Sequence, residues 1–254
     1  MDEVKAGAEF QDNPLDQLKQ FTAARIGIGR SGAGIPLKQS LELKLAHAHA
    51  RDAVYSELDI DKLSADLKQF DLPVLLLQSE AAYREMYLQR PDLGRQLNEK
   101  SIELVRDCSH KTDIVIVIAD GLSATAVNHH AISLLKVLVP QLQSANLVVG
   151  PVSLVKQGRV AIGDDIGIHL KAKLSLILIG ERPGLSSADS MGCYITYNPK
   201  PGLTDESRNC ISNIRPHGLP FKSASKKIFY LIQEAFRRKL SGVGLKDNAG
   251  LLDS

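Results

Sequence analysis

Two runs of the chain leave little choice of fold. Ile114-Val115-Ile116-Val117-Ile118 is wholly β-branched, and Leu174 to Ile179 is apolar but for Ser175. A strand with one face in water alternates apolar and polar positions. A run without alternation has both faces covered, which is the condition of a central strand in a parallel sheet flanked by helices. Each run ends in turn chemistry, Ala119-Asp120-Gly121 after the first and Gly180-Glu181-Arg182-Pro183-Gly184 after the second. Open α/β sheets bind ligands beyond the carboxyl ends of their strands, so Glu181 and Arg182, held between glycines, stand where ligand contact is expected. A surface ion pair at a turn is the plainer reading of the same two residues.

Other elements alternate around these runs. A first strand is expected at Pro73 to Leu77, and Pro91-Asp92 opens a helix that runs through Cys108. Ser123 or Thr125 caps a helix through Val139, limited by Pro140. Leu147 to Val155 reads as strand, Asp164 to Lys171 as a short helix, Cys193 to Tyr197 as strand, and Ser223 to Leu240 as an amphipathic helix. The alternation predicts an α/β fold, a Rossmann-like, doubly wound and mostly parallel sheet with right-handed crossovers. The first twenty residues are polar and poor in core formers, and a helical pattern follows over Leu41 to Leu58. An N-terminal helical arm over residues 1–70 is therefore expected ahead of a sheet domain over residues 71–254.

Composition excludes several classes. A net charge of +2 provides no strong field for DNA or an anionic membrane. The basic residues Lys226-Lys227 and Arg237-Arg238-Lys239 read as a solvated helix face. No run of about 18 apolar residues occurs, and the N-terminus lacks the apolar core of a signal peptide, so a cytoplasmic protein is expected. Cys108, Cys193 and Cys210 are odd in number and far apart, which disfavours structural disulfides and zinc.

Few motifs carry chemistry on their own. Gly27-Ile28-Gly29-Arg30-Ser31-Gly32 matches the dinucleotide fingerprint literally, which is the basis for an NAD-dependent oxidoreductase as an alternative. That fingerprint needs a strand before it and a helix after it. Here Leu15 to Arg25 reads as helix, and Gly34-Ile35-Pro36 postpones the next helix. Asp120-Gly121-Leu122-Ser123 lies at a strand end facing a helix start, where it serves either a polar ligand or simply the helix cap. His129-His130, like His47 and His49, diverge on a helix and form no metal pair. Cys210 has no assignable base and reads as a buried structural thiol rather than a nucleophile. The lack of any triad or metal cluster leaves a non-catalytic α/β interaction module as a second alternative.

Five collinear stretches carry a family resemblance. They are Thr22-Ala23-Ala24-Arg25 with Gly29-Arg30, Tyr87 to Arg95, Asp120 to Ser123, Gly180 to Gly184, and Arg208-Asn209-Cys210-Ile211-Ser212-Asn213-Ile214. Together they resemble the small (light) subunit of ethanolamine ammonia-lyase, an adenosylcobalamin-dependent enzyme, over roughly Phe21 to Gly242. The resemblance implies radical deamination of ethanolamine to acetaldehyde and ammonia, with the radical arising from cobalt–carbon homolysis. It also implies a TIM-barrel large subunit that holds the substrate, with this subunit's sheet covering the other side of the cofactor in a higher hetero-oligomer. By the same carry-over Val160, Glu181 and Cys210 match the cobalamin-contacting positions, and no catalytic or metal-ligating residue falls on this chain.

Two further expectations attach to the resemblance. Some members carry a longer amphipathic leader that directs packaging into a bacterial microcompartment. This chain begins nearer the core, so that targeting is not expected of it. Many cobalamin proteins replace the cofactor's benzimidazole with a histidine on a D-x-H-x-x-G loop. Asp165 and His169 are four apart and share a predicted helix, while His110, His129, His130 and His217 lack the flanking Asp and Gly. A base-on cofactor is expected.

Overall fold

The computed structural model describes residues 15–22, 24–108 and 112–246. The chain divides into two compact units, Met1–His49 and Ala50–Ser254. In the first, a 3-10 turn at Asp16–Phe21 leads to an irregular stretch in which Gly27, Gly29 and Gly32 all have positive φ. Helix α1 (Leu37–Val54) begins only after Pro36, so no strand delivers these glycines to a helix and the fingerprint lacks its context. His110 lies outside the described residues.

The second unit holds a six-stranded sheet in the order β1-β3-β2-β4-β5-β6. The strands are β1 (Val74–Gln78), β2 (Ile114–Ala119), β3 (Val149–Lys156), β4 (Leu174–Gly180), β5 (Met191–Tyr197) and β6 (Asn209–Ile214). The first four are mutually parallel, as the unalternated apolar runs require. Strands β5 and β6 pair antiparallel, so the sheet expected to be doubly wound and mostly parallel is a mixed one, with three parallel and two antiparallel pairings. The reason is the length and content of the connections. A parallel return needs a crossover of about a dozen residues or more, usually a helix. Only Glu181 to Ser190 joins β4 to β5, and only a 3-10 turn at Asp205–Ser207 lies between β5 and β6.

Helices cover both faces of the sheet. Ile114, Ile116 and Ile118 pack in one core with α2 (Ile60–Leu67), α5 (Ala124–Ser144) and α7 (Phe221–Arg238). The alternate residues Val115, Val117 and Ala119 pack in another with α4 (Glu99–Asp107) and α6 (Ile162–His169). Successive side chains of a strand point to opposite faces, so β2 feeds both cores at once and every residue in it is fully buried.

Several element boundaries differ from the sequence expectation. In place of one helix from Pro91 through Cys108 there is a 3-10 turn at Leu93–Arg95 and then α4, while α3 (Arg84–Gln89) ends before Pro91. The break arises because Gln96 and Leu97 bond outward, to Glu80 N and to the Asp165 carboxylate, before the Asn98 side chain caps α4 at Ser101 N. Helix α5 continues through Pro140 to Ser144, because Leu138, Val139 and Leu142 on its inner face are buried in the core. The Ser123 hydroxyl does not cap α5; it donates to Ala188 O at 2.8 Å.

The carboxyl ends of β2 and β4 meet at van der Waals limits. Leu122 N donates to Gly180 O at 2.9 Å. A Cβ on Gly180 would lie 1.9 Å from Ser123 O, and one on Gly121, at φ +57°, would lie 2.3 Å from Gly180 O. Gly180→Ala therefore forces backbone apart and is expected to destabilise by about 3 kcal/mol, at the upper end for overpacking. Gly244→Ala, whose Cβ meets its nearest neighbour at 3.7 Å, is the near-neutral control in thermal melts.

Candidate functional site

Val160, Glu181 and Cys210 are positioned by different devices at one end of the sheet. Val160 follows the turn Gln157-Gly158-Arg159 that leaves β3. Asp120, at the end of β2, accepts from Gln157 N at 2.8 Å and Gly158 N at 3.0 Å, clamping that turn onto the neighbouring strand. Burial pushes the Asp120 carboxyl up to about 6, against the opposing pull of these two amides and of Arg84, whose Nη1 stands 4.0 Å away.

The Tyr87 to Arg95 stretch supports the same turn from the other side. Arg159 N donates to Gly94 O at 2.7 Å, and Arg159 Nη2 to Tyr87 O at 3.0 Å. The Arg159 and Arg84 guanidinium carbons sit 4.2 and 4.6 Å from the centroid of the buried Tyr87 ring, a paired cation–π contact. Burial raises the Tyr87 phenol to about 12, with Asp120 adding to the rise and Arg159 and Arg84 opposing it. Gly94 is required by proximity, since a Cβ there would lie 2.7 Å from Arg159 Cγ.

Glu181 leaves β4 half-buried. Its N–H donates to Ser190 O at 2.9 Å, and its Oε2 accepts from the Ser190 hydroxyl and, at 3.2 Å, from Asn213 N in β6. Both bonds fall on one oxygen, so Oε1 is left over Gly192, where a Cβ would approach it to 3.0 Å. The loop from Glu181 to Ser190 is tied down elsewhere by the Ser123 hydroxyl and by His130, whose Nε2 lies 2.9 Å from Asp189 Oδ2. Arg182 is exposed.

Cys210 lies on β6 opposite Tyr194 of β5. Crowding raises its thiol above the usual value, Glu181's charge adds to the rise, and the hydrogen bond with the Tyr194 hydroxyl opposes it. A raised thiol is protonated at neutral pH and is a poor nucleophile, but the residue is exposed on the edge strand β6 and is not the buried thiol expected from the sequence. Tyr194 is itself raised well beyond its ordinary value, first by burial and then by Cys210 and Glu181. Tyr194 and Val160 pack against the same core on one sheet face. The structure thus brings Glu181, Tyr194 and Cys210 into mutual contact range, with Val160 on the same face.

Sequence reasoning missed Tyr194, Ser190 and the Asp120 clamp. A tyrosine in an ordinary strand has no motif, and the partner of Asp120 is a backbone turn far along the chain. Asp120 and Ser123 act inward, on Gln157, Gly158 and Ala188, so neither is a plain helix cap. The His129 and His130 rings lie edge to face with centroids 5.9 Å apart, and among the described residues no group of three or more His, Cys, Asp or Glu is arranged to hold a metal ion. Asp165 and His169 do share α6, 3.6 Å apart.

The family model for the ethanolamine ammonia-lyase light chain matches residues 12–246 of this chain. The ethanolamine ammonia-lyase small subunit of Pseudomonas fluorescens strain Pf0-1 is 51% identical over 241 residues, 93% of this chain and 88% of that protein. The small subunit from Azotobacter vinelandii is 50% identical over 242 residues, covering 94% and 90% respectively. That from Pseudomonas syringae pv. tomato is 48% identical over 255 residues, covering 99% and 88%.

The Asp120 clamp has a pH signature. A carboxyl whose folded pKa lies above its unfolded value binds its proton more tightly when folded, so the stability this provides is complete at low pH and is lost as pH rises from about 4 through about 6. Relative to Asp120→Asn, the native chain should lose at most about 3 kcal/mol across that window. Thermal melts of both proteins between pH 4 and 7 check it; parallel curves would remove the assignment.

Proposed function

The chain belongs to the ethanolamine ammonia-lyase light-chain family, and on that premise we propose that it completes the enzyme with a large subunit by covering one side of adenosylcobalamin. The reaction is deamination of ethanolamine to acetaldehyde and ammonia. When bound, the cofactor supplies the radical that makes this deamination possible. The protein's share here is binding, orientation and exclusion of water.

The observation that carries the reading is the Glu181 carboxylate. It is held at the sheet's carboxyl edge by Ser190 and Asn213 through one oxygen, with the other left over Gly192 beside Tyr194 and Cys210. This donor set fits a corrin, which is broad, mostly apolar and rimmed with amides. Val160 and the Tyr194 ring supply apolar area, while Glu181 Oε1 accepts from an amide or hydroxyl. Cys210 packs beside them as a neutral thiol. The arm of residues 1–70 and the cofactor-covering domain of residues 71–254 belong to the same reading, with the compact unit beginning at Ala50. So do the TIM-barrel form of the partner, the higher hetero-oligomer and a cytoplasmic location. Among the described residues no helix is long and apolar enough to cross a membrane.

Co-purification with the large subunit, followed by a visible-absorption titration with adenosylcobalamin, tests the reading directly. Glu181→Ala leaves a polar partner unmatched and is expected to weaken cofactor binding by about 1–3 kcal/mol, roughly ten- to a hundredfold. Cys210→Ser should change binding and turnover little; an inactive serine variant with normal cofactor binding would refute the packing role. The purified single chain should show no lyase activity, and ethanolamine turnover by it alone would overturn the division of labour.

The lower face of cobalt gives an independent check. No histidine here sits on the loop pattern that replaces the benzimidazole, so the cofactor is expected to bind base-on. Electron paramagnetic resonance of the cobalt(II) form, with nitrogen-15 histidine in this chain, should show an unchanged nitrogen splitting. A changed splitting means that a histidine of this chain is the ligand.

A further inference from the structure

Arg208 and Asp164 form a buried ion pair between two segments that no local interaction connects. Arg208 immediately precedes β6, two residues before Cys210. Asp164 lies in the first turn of α6, four residues after Val160. The two side chains are 2% and 7% exposed, and Arg208 Nη2 donates to Asp164 Oδ2. The guanidinium is further held by Leu203 O at 3.1 Å and, through Nη1, by Asp205 Oδ1 at 3.2 Å. Asp205 itself is solvated, so Asp164 is the buried counter-charge. Burial raises the Asp164 carboxyl, while Arg208 and the Thr196 hydroxyl of β5 draw it back down.

Stability is a weak reason for this arrangement. Removing two charges from water costs several kcal/mol per ion, and a well-packed apolar pair of the same volume is often as stable or more so. Arg208 Nε is also buried without a hydrogen-bond partner, an added cost of this geometry. Asp164 Oδ1 is unpartnered as well, so the pair meets through one bond, Nη2 to Oδ2. What it provides is direction, because a planar guanidinium bonded at once to Asp164, Leu203 O and Asp205 is held in one orientation, which apolar packing does not impose. On the far side of β6, Asn209 is bonded to the turn at Gly242–Gly244, with Gly242 N donating to Asn209 Oδ1 at 2.8 Å and Asn209 Nδ2 to Leu245 O at 2.7 Å. The Arg208-Asn209 dipeptide thus anchors the start of β6 in two directions, one of them toward the helix that begins beside Val160.

We propose that the buried Arg208–Asp164 pair is a positioning device that sets the Cys210 strand against the Val160 turn and thereby fixes the width of the cofactor-covering face. This rests on the reading of that face as the cobalamin contact. Neither residue touches the cofactor; both act through the segments they hold.

The test uses the two-subunit enzyme with the double substitution Arg208→Met and Asp164→Leu, which replaces the pair by apolar side chains, and with Arg208→Lys, which keeps the charge and loses the fork. Thermal stability, the dissociation constant of adenosylcobalamin from its visible spectrum, and separate KM values for cofactor and ethanolamine are the readouts. The double variant is expected to melt within a few degrees of the native enzyme while binding cofactor about tenfold more weakly, with KM for ethanolamine unchanged. Arg208→Lys should fall between. Cofactor affinity within twofold of native in a folded double variant overturns the proposal, and if that variant does not fold, the same result in Arg208→Lys does. Glu181→Ala and Val160→Asp, titrated alongside, separate the two readings. If they weaken binding and the pair variants do not, only the positioning role fails. If none of them weakens binding, the cofactor face itself is misassigned and the proposal falls with it.

Discussion

Everything at the carboxyl edge depends on where the Asp120 carboxylate spends its hydrogen-bonding capacity. It stands at the end of the most buried strand and accepts two backbone N–H groups from the turn after β3. A buried carboxylate is costly unless it is fully bonded, and a buried turn with two unpaired amides is costly as well. Each reduces the other's penalty, although burial still leaves the carboxyl raised to about 6. The turn therefore has one conformation, with Gln157 held at positive φ, and Val160 emerges from it in a set place. Arg84 and Arg159, stacked on Tyr87, close the same assembly from the side of α3.

The mixed sheet has a functional consequence. Had β5 and β6 continued the parallel pattern, the residues opposite the end of β4 would have been strand carboxyl ends followed by loops. Because β5 runs back, its beginning pairs with the end of β4, Gly180 opposite Met191 and Ile179 opposite Gly192. Tyr194 then lies one pleat further in, with Cys210 beside it on β6. A short connection thus places side chains from three adjacent strands around Glu181. A glycine at 192 leaves room for its carboxylate.

The family stretches divide accordingly by physical task. Tyr87 to Arg95 props the Val160 turn, and Asp120 to Ser123 ties strand ends to loops through Gln157, Gly158 and Ala188. Gly180 permits β2 and β4 to touch, and Arg208-Asn209 anchors β6. Glu181 and Cys210 in these stretches, with Val160 outside them, are the positions proposed to meet the cofactor. Most of what makes the family recognisable is therefore support for a face rather than the face itself.

The sequence alone determined the α/β class, because runs such as Ile114 to Ile118 cannot leave either side in water, and it marked the turn after Leu174 to Ile179 as a place where ligand contact is expected. The family motifs, being contiguous, also drew attention to Glu181 and Cys210, and the wider resemblance to Val160. What it did not determine was everything that depends on partners distant along the chain. The direction of β5 was decided by a connection too short for a crossover, and the end of α5 by buried contacts that outweigh Pro140. The bonds from Asp120 to Gln157 and from Arg208 to Asp164 join residues 37 and 44 positions apart, and only the folded chain brings them together. Local pattern reports which surfaces must be buried, whereas the pairing of buried polar groups is set by geometry that exists only after the layers have packed.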